Sequence, residues 1–266
     1  MTNATQQTDV FQQPAKQNMK TQIDRLSGDH IIYQPVEGQR YSTDDMLVAW
    51  LAVRELQAQQ PGIASFLDLG CGLCSVPMII LWCCKDLSGF GIEHAASRLA
   101  CARQSLAANG LENRFQIING DLRSVRLKER FDFITSSPPY YEYREGPLSP
   151  DQDRARVRFE TQGSIESYFE AAGAHAAPEA RFITVYPSRL IQRVQTAAEK
   201  SGFGIRLSID IIPRAGKATL FTLFTCVKDG SDTTATEELT VRGHDQLFTS
   251  EFRAVRSMLG FPDKAR

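Results

Sequence analysis

Four residues in the middle of the chain, Ser137-Pro138-Pro139-Tyr140, have the makings of a receiver for a planar amine. They follow a strand-like run, Phe131-Asp132-Phe133-Ile134-Thr135. Each proline fixes φ and removes a backbone donor, and it holds the residue before it extended, so the Pro138 carbonyl is left free and aimed outward. The Ser137 side chain offers one acceptor, that carbonyl a second, and the Tyr140 ring a stacking face for a base or an amide. A nitrogen held there is placed for alkylation. Taken alone, a Pro-Pro-aromatic run reads as a rigid loop; the residues upstream argue for chemistry.

Those residues begin with Ser65-Phe66-Leu67-Asp68-Leu69-Gly70-Cys71-Gly72, an apolar strand that breaks into a glycine turn and then the apolar stretch Val76 to Cys84. Strand, glycine turn and helix make a nucleotide-binding crevice, where glycines admit a ligand close to the backbone and the helix start presents unpaired N–H groups. Cys74 and Ser75 stand where the third glycine of a dinucleotide fingerprint would fall, which disfavours a pyrophosphate ligand. The strand Gly89-Phe90-Gly91-Ile92-Glu93 ends in an acid at about the 20-residue offset at which a carboxylate meets a ribose. After it, Ala95 to Asn109 reads as an amphipathic helix stopped by Asn109-Gly110. Phe115 to Ile118 reads as a strand, followed by Asn119-Gly120-Asp121-Leu122, where Asp121 is suited to accept from an adenine amino group.

Further elements must hold these residues in place. Met46 to Leu56 is expected to be helical, Arg181 to Tyr186 a strand, Ser188 to Ser201 a helix, and Ile205 to Ile212 with Ala218 to Val227 a late antiparallel pair rich in β-branched residues. Lys228 to Glu238 reads as a loop. The expected fold class is α/β: a seven-stranded, mostly parallel sheet flanked by helices, with ligand at the carboxyl ends of the first strands.

On these motifs, in this order, the chain resembles a class I S-adenosylmethionine-dependent methyltransferase of the amino-methylating branch, with its Rossmann-like fold. The lead-in Tyr33-Gln34-Pro35-Val36-Glu37-Gly38-Gln39-Arg40-Tyr41-Ser42-Thr43-Asp44-Asp45, the segment Pro213-Arg214-Ala215-Gly216-Lys217, and Leu239 to Arg242 leading to Phe248 to Phe252 further resemble bacterial valine-tRNA adenine N6-methyltransferases. The resemblance implies S-adenosylmethionine as cofactor, held by Gln34, Tyr41, Asp44, Asp68, Gly70, Cys71, Gly72, Glu93, Asp121, Leu122 and Ser137. It also implies that Ser137, Pro138, Pro139 and Tyr140 hold the target nitrogen, with RNA, tRNA in particular, as substrate. The chain departs from the pattern twice: Ser137 stands for the usual Asn, and Cys74 for the usual third glycine. Two other readings stay open: transfer to a protein glutamine or a small-molecule amine, and an inactive module that binds cofactor or RNA. A glutamine enzyme usually carries a helical domain before the catalytic one, and the residues ahead of Met46 are fewer than such a domain needs.

Composition bounds the reading. With 266 residues, 42% of them hydrophobic, the chain suffices for one large core. Residues 1–25, polar and without a long apolar run, are expected to be a disordered leader, 26–60 a lead-in segment and helix, and 61–266 the catalytic domain. No membrane segment is expected, and a cytoplasmic protein follows. Of six cysteines, Cys71 and Cys74 have metal or redox spacing, but no second pair completes a zinc site, so no metal is expected. His30, His94, His175 and His244 are scattered singly. A net charge of −1 is no general attraction for nucleic acid, which leaves local clusters: Arg154, Arg156 and Arg158; Arg189 and Arg193; Arg214 and Lys217. Tyr141 and Tyr143 add aromatics suited to stacking on an extruded base.

Overall fold

The computed structural model describes residues 20–38, 40–58, 64–139, 163–231 and 234–262. The chain opens with an antiparallel hairpin, β1 (Thr21–Arg25) and β2 (Ile31–Pro35), and continues into helix α1 (Thr43–Ala58). Strand β3 (Ser65–Leu69), α2 (Ser75–Cys83), β4 (Ser88–Glu93), α3 (Ala96–Ala108), β5 (Phe115–Asn119) and β6 (Phe131–Ser136) follow. Then come α4 (Ile165–His175), β7 (Ala176–Pro187), a 3-10 turn (Ser188–Leu190), α5 (Ile191–Lys200), β8 (Phe203–Ile212), β9 (Phe221–Lys228), β10 (Ala235–Thr240) and α6 (Ser250–Met258).

Eight strands form one sheet in the order β10-β8-β9-β7-β6-β3-β4-β5. Only β9 runs against the rest, between β7 and β8. The carboxyl ends of β3, β4, β6, β7, β8 and β10 therefore share one edge. The expected α/β sheet with its late antiparallel pair is present, but with eight strands instead of seven. The additional one is β10, which pairs in parallel with β8 and begins inside the stretch expected to be a loop. Its sequence, Ala-Thr-Glu-Glu-Leu-Thr, buries only Leu239, because an edge strand needs an apolar residue only where it touches the core. The leader expectation is also corrected at its end: Thr21–Arg25 form β1, whose polar sequence, mostly exposed, hides the hydrogen-bonded pairing.

Two cores cover the sheet. On one face Leu47, Val48 and Leu51 of α1, Met78 to Leu81 of α2, Ala102 and Leu106 of α3, and Phe252 and Val255 of α6 pack with Phe66. On the other, Phe169 of α4 and Val194 and Ala197 of α5 pack with Leu67, Leu69 and Phe182. Phe66 and Leu67 enter opposite cores because successive strand side chains point to opposite faces.

The hairpin is fastened to both neighbours by polar bonds. The Asn109 side chain accepts from the Ile31 backbone N–H (2.9 Å) and donates to the Ile31 carbonyl (2.7 Å), while Ser27 donates to the Leu259 carbonyl at 2.6 Å. As the cap of α3, Asn109 is followed by Gly110 at φ +65°, the stop expected from the Asn-Gly pair. Truncation to Asn109→Ala strands both Ile31 groups, and chemical denaturation should record a loss of about 1–3 kcal/mol.

Candidate active site

Parallel register levels the strand ends that carry the chemistry. Leu69 of β3 lies opposite Ile92 and Ser136, and Asp68 opposite Gly91 and Thr135. The glycine turn after β3, Glu93 ending β4, Gly120-Asp121 after β5 and Ser137-Pro138-Pro139 after β6 thus line one crevice, where strand order reverses about β3 and β6.

The turn is tightly built. Gly70 (φ +68°) and Gly72 (φ +55°) take left-handed conformations, and a Cβ on Gly70 would lie 2.5 Å from the Tyr168 hydroxyl of α4. Cys74 takes the same region at φ 62°, a conformation that would suit glycine better. The buried Glu93 carboxylate accepts from the N–H groups of Gly72 (2.8 Å), His94 (2.9 Å) and Ala95 (2.6 Å). A carboxylate has roughly four lone-pair sites, so an acceptor position remains for a ligand hydroxyl. Cys71 and Cys74 are buried free thiols. The hydrogen bond to Cys74 and burial hold the Cys71 thiol well above its usual range, with Glu93 and Asp68 adding to the effect, so it is a poor nucleophile.

A second set of acids crowds the same crevice. Asp68 accepts from the Thr135 hydroxyl at 2.5 Å. Asp45, in the first turn of α1, accepts from the Ser42 N–H (3.2 Å) and the Ser75 hydroxyl (3.1 Å). Asp44 is bonded by the Ser42 hydroxyl, and its burial raises its pKa. Burial and the adjacent Asp44 carboxyl push Asp45 up to about 6. Burial, with the charges of Asp45 and Glu93, pushes Asp68 up to about 8. Carboxyls that keep protons so far above the ordinary range lack a cation, and a positively charged ligand beside them would draw them into the ionised state. The donor set fits a sulfonium nucleoside: acids for its positive groups, Glu93 for ribose hydroxyls, and a glycine turn that lets it approach.

The residues anticipated from sequence separate into groups. Asp44, Asp68, Gly70, Cys71, Gly72, Glu93, Ser137, Pro138 and Pro139 line or border the crevice. Gln34 is fully buried and uses both ends of its amide internally, donating to Asp24 (2.8 Å) and accepting from the Tyr41 N–H (2.9 Å). Gln34 and Tyr41 thus hold the lead-in in shape. Asp121 carries a salt bridge from Arg123, whose hydrogen bond keeps its carboxyl below the usual range. Leu122 packs in the second core. Arg193, expected on a basic face, is tied to Glu166 by two bonds of 3.0 and 2.8 Å. Tyr140, Tyr141, Tyr143, Arg154, Arg156 and Arg158 lie outside the described residues. Asp45, Thr135 and Tyr168 were missed; the Asp44-Asp45 doublet was the one visible signal, since two acids opening a helix are ordinarily read as a dipole complement.

Residues 47–149 match the family model described as methyltransferase small domain. The fold around that match is the Rossmann-like α/β fold of methyltransferases, a mainly parallel sheet flanked by helices. Over 222 residues, 81% of this chain and 85% of the relative, the sequence is 22% identical to a tRNA1(Val) (adenine(37)-N6)-methyltransferase of Musicola paradisiaca. Over 101 residues, 38% of this chain and 35% of the relative, it is 33% identical to a release factor glutamine methyltransferase of Agrobacterium fabrum. A solved structure from Agrobacterium tumefaciens, described as a predicted O-methyltransferase, shares the fold with a TM-score of 0.64 at 18% identity, covering 82% of this chain and 98% of that one. Among the described residues no helix is long and apolar enough to cross a membrane, and no group of His, Cys, Asp or Glu is arranged to hold a metal ion.

Because folded Asp45 and Asp68 titrate above the ordinary carboxylate range, the folded chain keeps protons that the unfolded chain has lost. Their stabilising contribution is full below the unfolded value of 3.8 and is lost as pH rises through about 6 and then about 8. Thermal unfolding across that range should show stability falling less steeply for Asp68→Asn than for the wild type; equal slopes would mean that Asp68 is ionised in the folded protein.

Proposed function

We propose that the protein transfers the methyl group of S-adenosylmethionine to the exocyclic amine of an adenine in tRNA. The observation that carries this reading is the parallel register that sets Ser136 opposite Leu69, so that Ser137, first residue of the amine-receiving loop, follows at the level of the glycine turn and the acid-lined crevice, an amine acceptor beside a seat for a cation. The names of the relatives matched over most of the chain support the substrate. Such an enzyme works where tRNA is, in the cytoplasm. Residues 26–60 would serve as lead-in and 61–266 as the catalytic domain.

Asp68 and the glycine turn would receive the charged methionine part of the cofactor, with Glu93 on the ribose and Asp121 on the adenine after release from Arg123. When bound, the cofactor supplies a methyl group on a sulfonium, open to direct displacement. Ser137 and the Pro138 carbonyl accept the two N–H groups of the target amine, so its lone pair turns toward the methyl, and Tyr140 stacks on the base. A buried crevice keeps water away from the reacting atoms.

Basic side chains stand on the same sheet edge. Arg214 and Lys217, exposed in the loop after β8, adjoin the segment after β10 through the Ala215 N–H to Arg242 carbonyl bond of 2.8 Å. There Arg242 lies 4.3 Å from the centre of the Phe248 ring, with Arg256 5.1 Å from it. Cationic groups on the sheet edge that carries Ser137, with β7 and β9 between, suit phosphates, although the chain as a whole carries a charge of −1.

Incubation with methyl-labelled S-adenosylmethionine and total bacterial tRNA should place label in N6-methyladenosine. Tyr140→Ala should abolish transfer while leaving cofactor binding almost intact; equal losses of both would contradict that division of roles. Label in protein glutamine instead of RNA would move the substrate to that class. Arg214→Glu with Lys217→Glu should raise the KM for tRNA several-fold and flatten its salt dependence, with cofactor affinity unchanged.

A further inference from the structure

Arg98 holds a place that its own helix does not account for. It stands in the first turn of α3, where the helix dipole favours an anion and a cation is at the unfavourable end. Among the described residues no hydrogen bond reaches its guanidinium group, and its Nη2, cut off from solvent, is a buried donor without a partner. Such a donor is unfavourable, because it has lost its water and gained no acceptor. The side chain, 18% exposed, lies over the glycine turn. Its Nη1 is 3.5 Å from where a Cβ on Gly72 would stand and 3.9 Å from Glu93 Oε2.

The open positions of Glu93 and Arg98 are neighbours. Glu93 Oε1 accepts two backbone N–H groups, those of His94 and Ala95, whereas Oε2 accepts only that of Gly72. The acceptor position left over is therefore on the oxygen that lies 3.9 Å from Arg98 Nη1. That separation is too long for a direct hydrogen bond, yet one oxygen atom can lie about 2.8 Å from both atoms. An oxygen placed there must donate to a carboxylate and accept from a guanidinium group. A hydroxyl does both, whereas a carboxylate cannot donate and an ammonium group cannot accept. Resting on S-adenosylmethionine as the cofactor, we propose that Arg98 is a second ribose-binding residue. It donates to a ribose hydroxyl that Glu93 accepts from, and so makes the site selective for an adenosyl ligand with that hydroxyl in place. The planar fork presents donors side by side, and a ribose presents two neighbouring hydroxyl oxygens.

Calorimetry with the full chain reads this contact without turnover. The probes are S-adenosylhomocysteine, its 2′-deoxy and 3′-deoxy forms, and 5′-methylthioadenosine, which keeps the ribose and lacks the amino-acid part. Arg98→Met, similar in length and uncharged, should weaken S-adenosylhomocysteine and methylthioadenosine alike, by about 10- to 100-fold. On at least one of the deoxy ligands the same substitution should have little further effect, because the hydroxyl it served is already gone. Arg98→Lys, which keeps a donor and the charge, should recover part of the loss. Equal losses on every ligand would overturn the assignment, as would a loss confined to the ligands that carry the amino-acid part, or no loss at all. Without ligand, Arg98→Met should unfold at the wild-type temperature or above it, since a buried donor without a partner has been removed; a clear fall would make Arg98 a prop of the glycine turn and overturn the assignment. A wild type that shows the coupling and methylates no RNA would leave the ribose contact standing and remove the tRNA reading. A wild type that binds none of the probes would overturn the cofactor reading, and the contact with it.

Discussion

Parallel pairing of β3 with both β4 and β6 is the constraint from which the site follows. It levels three strand ends, so that Asp68, Glu93 and the residues after Ser136 meet in one place, and it does so next to two packed cores. Acids placed there are removed from water and from one another's tolerance. The structure meets that cost in two ways. Glu93 is paid in backbone N–H groups, three of them. Asp45 and Asp68 have hydroxyls and a single N–H, and they keep their protons far above the usual range. A crevice prepared in this way favours a cationic ligand over a neutral one of the same shape.

The lead-in matters because it brings α1 to this crevice. Gln34 bridges Asp24 of β1 and the Tyr41 backbone, and Arg40 pairs with Asp24 at 2.7 Å, so the chain entering α1 is gathered about one aspartate. Hydrogen bonds from Gln22 and Gln34 and the charge of Arg40 keep that carboxyl below its ordinary pKa, in contrast with Asp45 a short distance along the chain. The hairpin is in turn bound to α3 through Asn109 and to the end of α6 through Ser27. Residues far from the chemistry thereby set where Asp45 stands.

At the other side of the sheet, the loops after β8 and β10 present Arg214, Lys217 and Arg242 on the edge that carries Ser137. Guanidinium–ring contact at Phe248 restricts Arg242, while Arg256, buried beside the same ring, donates to the Pro262 carbonyl at 2.8 Å. Elsewhere cations are paired: Arg193 with Glu166, Arg181 with Glu55, and Arg54 with Glu237. Charge balance over the whole chain is thus compatible with a local basic rim.

Much was legible in the sequence by itself because it was written in short segments. The strand–glycine-turn–helix unit at Asp68 to Cys84, the acid ending the next strand, the Asn109-Gly110 stop and the Ser-Pro-Pro run each depend on local conformational preference and hydrophobic period, which neighbours in sequence determine. β10 was not legible, because an edge strand with one buried residue lacks that period, and β1 was hidden by its polar side chains. The use of Gln34 and Asp121 was also decided in three dimensions, by Asp24 and Arg123 as partners. Above all, only the tertiary structure placed Asp45 beside Ser75: contact between residues so distant in sequence is set by the packing of α1 on α2, and no local pattern encodes it.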